Sequence, residues 1–170
     1  MATSLAFAAL AAAAFAGEPR ELAGITRYHN QVRAQAQTAT PLPALQWEPA
    51  LAATAAAWAA QCVDRSAPIG LIDHNPNRSR GHPYYVGENI YGSSGRATAQ
   101  AAVRVWAAEA QDYNYARNTC KGVCGHYTQI VWRTTLKLGC ALHVCTGLKT
   151  GHSIVCNYGP GGNLRGIRPY

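Results

Sequence analysis

The chain has 170 residues, 48% of them hydrophobic, which is enough for one substantial core and points to a single domain. Its 15 Lys+Arg against 8 Asp+Glu leave a formal charge of +7. The cations (Arg78, Arg80, Arg104, Arg117, Lys121, Arg165 and Arg168 among them) are scattered and form no basic block. That excludes a nucleic-acid-binding tail and leaves solubility and a weak attraction to anionic surfaces.

The chain opens MATSLAFAALAAAAFAGEPR, with no charged side chain before Glu18. The apolar run is short for a membrane span, and Ala14-Phe15-Ala16 fits a small-x-small cleavage site. Residues 1–16 are therefore expected to be a secretory signal, and residues 17–170 the mature domain. No later segment is apolar enough to cross a bilayer. From Pro19 to Gln37, Leu22, Ile25, Tyr28 or His29, and Val32 recur in steps of three and four, the pattern of an amphipathic helix. TATPLPALQWEP ends it. Pro49 suits a first helical position, and ALAATAAAWAAQC reads as a second helix whose alanines imply close packing against a neighbour.

Val63 to Pro83 is irregular, with three prolines, three arginines and two histidines. A loop this long without elements of its own is often functional. YYVGENIY, Tyr84 to Tyr91, reads as a strand, and Thr98 as the N-cap of a third helix in TAQAAVRVWAAEAQDY. Glu109 lies three residues after Trp106, at the margin of that helix's apolar stripe. A half-buried carboxylate there demands a partner. His126 to Trp132 suggests a short helix, and LKLGCALHVC and GHSIVCNY two strands of an antiparallel hairpin. Helices, few strands and a hairpin together indicate a layered α+β domain. Tyr28, Tyr127, Trp132 and the Tyr113–Tyr115 run read as rings that complete the core.

Six cysteines remain: Cys62, Cys120, Cys124, Cys140, Cys145 and Cys156. An even count behind a signal segment points to three disulfides in an oxidising compartment, though spacing cannot choose among the pairings. No thiol is left over as a nucleophile, and there is no G-x-S-x-G. The GSSG at Gly92 to Gly95 reads as a turn. His82, His143 and His152 read as surface or loop groups, and Asn77-Arg78-Ser79 is a glycosylation sequon. The groups that can carry chemistry are His74 in the long loop, Glu88 in the strand, Glu109 on the third helix and His126 after the cysteine pair. Two imidazoles and two carboxylates suit a divalent metal or acid–base work, but no H-E-x-x-H or other local spacing joins them.

GHYTQIVWRTTLKLGCALHVC, CNYGPGGNLRGIRPY and YNYARNTC, with HNQVRA and VGENIY upstream, resemble the CAP superfamily of cysteine-rich secretory, antigen 5 and pathogenesis-related 1 proteins. The likeness runs from about Leu22 to Tyr170 and is strongest to the pathogenesis-related 1 type. It implies an α-β-α sandwich with a central antiparallel sheet. It also implies one cleft lined by His74, Glu88, Glu109 and His126, able to hold Zn²⁺ or another divalent cation. The implied disulfides are Cys62–Cys145, Cys120–Cys124 and Cys140–Cys156. The family further implies a secreted, monomeric protein acting in defence or host interaction, with a sterol or other lipid, or a target-cell membrane, as partner and no role for nucleic acid. A metal-assisted hydrolase, a protease with Glu88 or Glu109 as base, is the alternative use of the same cleft.

Overall fold

The computed structural model describes residues 17–67 and 69–170. The signal segment expected over residues 1–16 lies outside them. The helix anticipated from Pro19 is broken in two. A 3₁₀ turn covers Arg20–Leu22, and helix α1 covers Ile25–Gln35. The break falls at Gly24, whose φ of +84° suits a residue with no Cβ. The Glu18 carboxylate accepts from Gly24 N at 2.6 Å and Thr26 N at 2.9 Å, satisfying amides that the new helix start leaves free.

Strand β1 (Gln46–Trp47) leads into helix α2 (Pro49–Ala59), with proline in its first turn. Strand β2 is Gly87–Ser93, and helix α3 is Ala99–Ala108, capped by Thr98 Oγ1 accepting from Ala101 N at 3.2 Å. A 3₁₀ turn, Glu109–Asp112, extends α3. A small hairpin of β3 (Tyr113–Asn114) and β4 (Thr119–Cys120) follows, then the short helix α4 (Gly125–Ile130). Strands β5 (Lys137–Val144) and β6 (His152–Gly159) complete the chain's regular structure. The strand expected from Tyr84 begins at Gly87, which pairs with Tyr158; one residue further β6 ends at Gly159, because Pro160 has no N–H to continue the ladder.

The main sheet has the order β1-β5-β6-β2, with β1 parallel to β5 and the other pairs antiparallel. Alternation along the strands splits the core in two. Leu138, Cys140, Ile154, Cys156 and Tyr158 meet α1, α3 and α4 on one face. Ala141, Val155 and Ile90 meet Ala55 and Ala59 of α2 on the other. The result is an α-β-α sandwich. No helix among the described residues is long and apolar enough to cross a membrane.

The three disulfides are Cys62–Cys145, Cys120–Cys124 and Cys140–Cys156, and no cysteine is free. Cys140 and Cys156 sit directly opposite each other on β5 and β6, so their bond fixes that register covalently. Arg33 of α1 is almost wholly buried (2% exposed) and answers its burial with four carbonyls. It donates to Pro43 O (2.8 Å), Ile130 O (2.7 Å), Trp132 O (2.9 Å) and Thr135 O (3.2 Å). Burial, with Arg133 adding to it, lowers its pKa to about 10.

The alanines of α2 let it lie directly on β5. A Cβ at Gly139 would sit 2.2 Å from Ala52 N and 2.7 Å from Glu48 O. Both are backbone atoms and cannot swing aside. Gly139→Ala should therefore destabilise the domain by about 3 kcal/mol through overpacking, read as a lower urea midpoint with an unchanged m-value.

Candidate functional site

Strand β2 is one edge of the sheet, and both helical layers reach it. Consecutive residues of this strand point to opposite faces. Glu88 turns toward α2 and the long loop; Asn89 turns toward α1, α3 and α4. Each organises one histidine.

On the α2 side, Glu88 Oε1 accepts from His74 Nδ1 at 2.8 Å and from Asn75 N at 2.9 Å. With its amide oriented to satisfy both neighbours, Asn157 donates to Glu88 Oε2 at 3.1 Å and accepts from Ala55 N at 3.2 Å. The Glu88 side chain is sealed at 0% exposure, whereas His74 is 58% exposed. The loop carrying His74 is held at both ends. Trp58 Nε1 donates to Asp73 O at 2.7 Å. Arg78 donates to Val86 O (2.8 Å), Asn75 O (2.9 Å) and the Tyr85 hydroxyl (2.9 Å).

On the other side, Glu109 Oε1 accepts from His126 Nδ1 at 2.5 Å, and Oε2 accepts from His126 N (2.9 Å) and Tyr127 N (3.1 Å). The partner that Glu109 demands is thus both the ring of His126 and the free amides at the start of α4. The His126 ring stacks on Trp106 at 6.0 Å and 19° between planes. A buried chain holds it from behind. Asn89 Nδ2 donates to His126 O (3.1 Å) and to the Tyr158 hydroxyl (2.9 Å). The Tyr158 hydroxyl in turn meets His29 Nε2 at 2.8 Å, and His29 Nδ1 donates to Ile25 O at 2.8 Å. Since that carbonyl can only accept, Nε2 is the unprotonated nitrogen and the tyrosine donates to it. Burial lowers the His29 pKa to about 4 and raises that of Tyr158.

His74 and His126 both line a cleft of about 800 Å³ along this edge. Trp58, Leu71, Ile72, Ile90 and Val123 are among its apolar lining, with Asp73 and Arg65 as its charged members. Of the four groups expected to line the cleft, the two imidazoles do; Glu88 and Glu109 are not among its lining residues, and each holds the Nδ1 of its histidine. In each histidine Nδ1 is taken by a glutamate, so Nε2 is the nitrogen left for a ligand. Among the described residues, three potential metal donors come within 4.8 Å of one another at Cys62, His143 and Cys145. There the sulfurs are joined in a disulfide and are not thiolate ligands.

The model of the cysteine-rich secretory protein family, CAP, matches residues 26–158. The chain belongs to the CAP family. It is 42% identical to pathogenesis-related protein 1 of Arabidopsis thaliana over 144 residues, covering 85% of this chain and 79% of that protein. Among solved structures it is similar to venom allergen-like protein 4 of Schistosoma mansoni (TM-score 0.73, 30% identity, 90% of this chain and 95% of that one). It is also similar to NaASP2, solved with Zn²⁺ (TM-score 0.62, 28% identity, 91% and 87%).

Residue-by-residue reading of this CAP domain overlooks Arg78, Asn89 and Asn157. Asn89 and Asn157 act on elements far away in sequence, and Arg78 ties its own loop to the start of β2, so no periodic spacing marks any of them. His29 is half visible, as one of two candidates for a buried helix position.

Two measurements test the site's supports. Glu109→Ala strands two amides and a ring nitrogen; a loss of about 2–3 kcal/mol, or roughly 5–10 °C in Tm, is expected by calorimetry. His29 takes a proton more readily unfolded (6.5) than folded (about 4), so its contribution is complete above pH 6.5 and is lost as pH falls toward 4. Urea unfolding across that window should show His29 costing roughly 3 kcal/mol of stability, a component absent from His29→Gln.

Proposed function

We propose that this CAP protein is secreted, is of the pathogenesis-related 1 type, and captures a sterol or another lipid in the cleft at the β2 edge, as part of defence or host interaction. The observation that carries this is the cleft itself: about 800 Å³, with Trp58, Leu71, Ile72, Ile90 and Val123 among its apolar walls and His74 and His126 as polar fixtures. Apolar walls with a few convergent polar groups are the usual make-up of a small-molecule site. An apolar body would lie along the walls, and its hydroxyl or carboxyl end would meet the Nε2 atoms. Export agrees with three disulfides, which persist in oxidising compartments. The protein acts as a monomer and needs no nucleic acid.

The donor set also suits a divalent cation such as Zn²⁺. Each imidazole offers Nε2 while a glutamate holds its Nδ1, the outer-shell support found around metal-binding histidines. His74 and His126 would hold the ion, which when bound supplies Lewis-acid polarisation of an oxygen ligand. The hydrolase reading is the weaker one, because it needs a free carboxylate base at the cleft: Glu88 is fully enclosed with both oxygens occupied, and both oxygens of Glu109 are taken by His126 and Tyr127.

Titration with a fluorescent sterol and a fluorescent fatty acid, with and without Zn²⁺, tests the proposal. Removing both polar fixtures in His74→Ala/His126→Ala should weaken capture about tenfold, equivalent to one or two hydrogen bonds, and abolish the heat of zinc binding. Leu71→Gln should weaken capture while sparing zinc. Peptide hydrolysis that disappears in Glu109→Gln, with no lipid capture by the parent protein, would reverse the ranking.

A further inference from the structure

Large apolar side chains on the surface are not evenly spread. Val123, Leu164 and Ile167 are 62%, 50% and 57% exposed, and all three line one open groove of about 520 Å³ between the β4–α4 loop and the C-terminal segment. The groove is built rigidly. The Cys120–Cys124 disulfide closes the loop that carries Val123. Asn163 Nδ2 donates to Gly125 O at 2.8 Å, and Thr128 Oγ1 donates to Asn163 Oδ1 at 2.7 Å. Arg133 N donates to Pro169 O at 2.7 Å. Arg168 donates to Tyr115 O (3.0 Å) and Ala116 O (2.9 Å), and the Tyr115 ring stacks on Tyr170 at 4.7 Å. Leu164 and Ile167 therefore stay outside because their backbone is pinned, with no route into the core.

The segments that form this edge, residues 113–125 and 160–170, carry Arg117, Lys121, Arg165 and Arg168 and no acid; Asp112 borders them. All four cations are exposed. Exposed aliphatic groups with exposed cations one or two positions away along the chain (Lys121 near Val123, Arg165 beside Leu164, Arg168 beside Ile167) match a surface that is apolar beneath and anionic above. We infer that this edge docks the protein on an anionic lipid bilayer, with Val123, Leu164 and Ile167 entering the headgroup region and Arg117, Lys121 and Arg165 facing the phosphates, while Arg168 stays on the carbonyls it pins. Val123 also lines the β2-edge cleft, so the docking edge and the cleft share a wall. A lipid leaving the bilayer would meet the cleft without crossing open water. This goes beyond ligand capture and does not depend on it.

Co-sedimentation of the full protein with vesicles tests the inference. Vesicles of phosphatidylcholine with about a third phosphatidylserine should bind it at low ionic strength, and pure phosphatidylcholine vesicles should not, with binding falling steeply as salt rises. Each cation removed should cost about fivefold in partitioning. Lys121→Gln/Arg165→Gln should thus lose far more than Arg96→Gln/Arg104→Gln, whose charges lie on and before α3. Ile167→Asn should weaken binding with the circular dichroism spectrum unchanged. Equal losses in both charge pairs would mean that net charge alone is at work, and would overturn the inference. So would failure to bind anionic vesicles, or a dimer in sedimentation that Ile167→Asn dissolves. Fluorescent-sterol titration without vesicles reads the cleft separately, so either idea can fail alone.

Discussion

The site depends on the register of one strand pair. Gly87 pairs with Tyr158, Glu88 with Asn157 and Asn89 with Cys156 across β2 and β6. Because side chains alternate, this register sends Glu88 to one helical layer and Asn89 to the other. A slip of one residue would exchange them, leaving His74 without its carboxyl and His126 without the amide that holds its carbonyl. Two features resist the slip. The Cys140–Cys156 bond locks β6 to β5, and a Cβ at Gly87 would come within 2.0 Å of Gln129 Oε1, so no larger side chain fits where β2 enters.

Behind that register lies a set of buried polar groups that are satisfied rather than avoided. Burying an amide, an imidazole or a guanidinium is costly unless its hydrogen bonds are replaced. Here Arg33 takes four carbonyls, and His29, Tyr158 and Asn89 form one continuous chain ending on His126 O. Most of these bonds join elements far apart in sequence, so the network ties α1 and α4 to each other and to the sheet. The two site histidines inherit that order, His126 directly and His74 through Glu88 and Asn157. They are rigid supports on the wall of a cleft whose remaining surface is mainly apolar, which suits the recognition of a ligand with one polar end.

The edge formed by the β4–α4 loop and the C-terminal segment works on a different principle. There the backbone is tied down and three apolar side chains, Val123, Leu164 and Ile167, are left in water, although polar ones could stand there at no loss to the core. Physical economy favours a contact at that face. Its shared wall with the cleft, through Val123, joins the two regions into one surface.

Much of the fold is legible in the sequence because it follows from local chemistry. Pro49, Thr98 and the alanine run of α2 mark helices through caps and propensity, and the hairpin of β5 and β6 follows from alternation. Gly24 breaks the first helix through a left-handed turn that lets Glu18 fold back onto Gly24 N and Thr26 N, a local device that the apolar period along Pro19 to Gln37 does not record. His74, Glu88, Glu109 and His126 are recognisable as candidates from their motifs, and the demand of Glu109 for a partner follows from its place beside Trp106. Which atoms pair, which carboxyl is sealed and which imidazole nitrogen stays available are decided only when edge strand, loop and short helix converge. Local spacing encodes periodicity and capping; contacts between residues 14, 17 or 69 positions apart depend on how the layers pack, and no pattern along the chain records that.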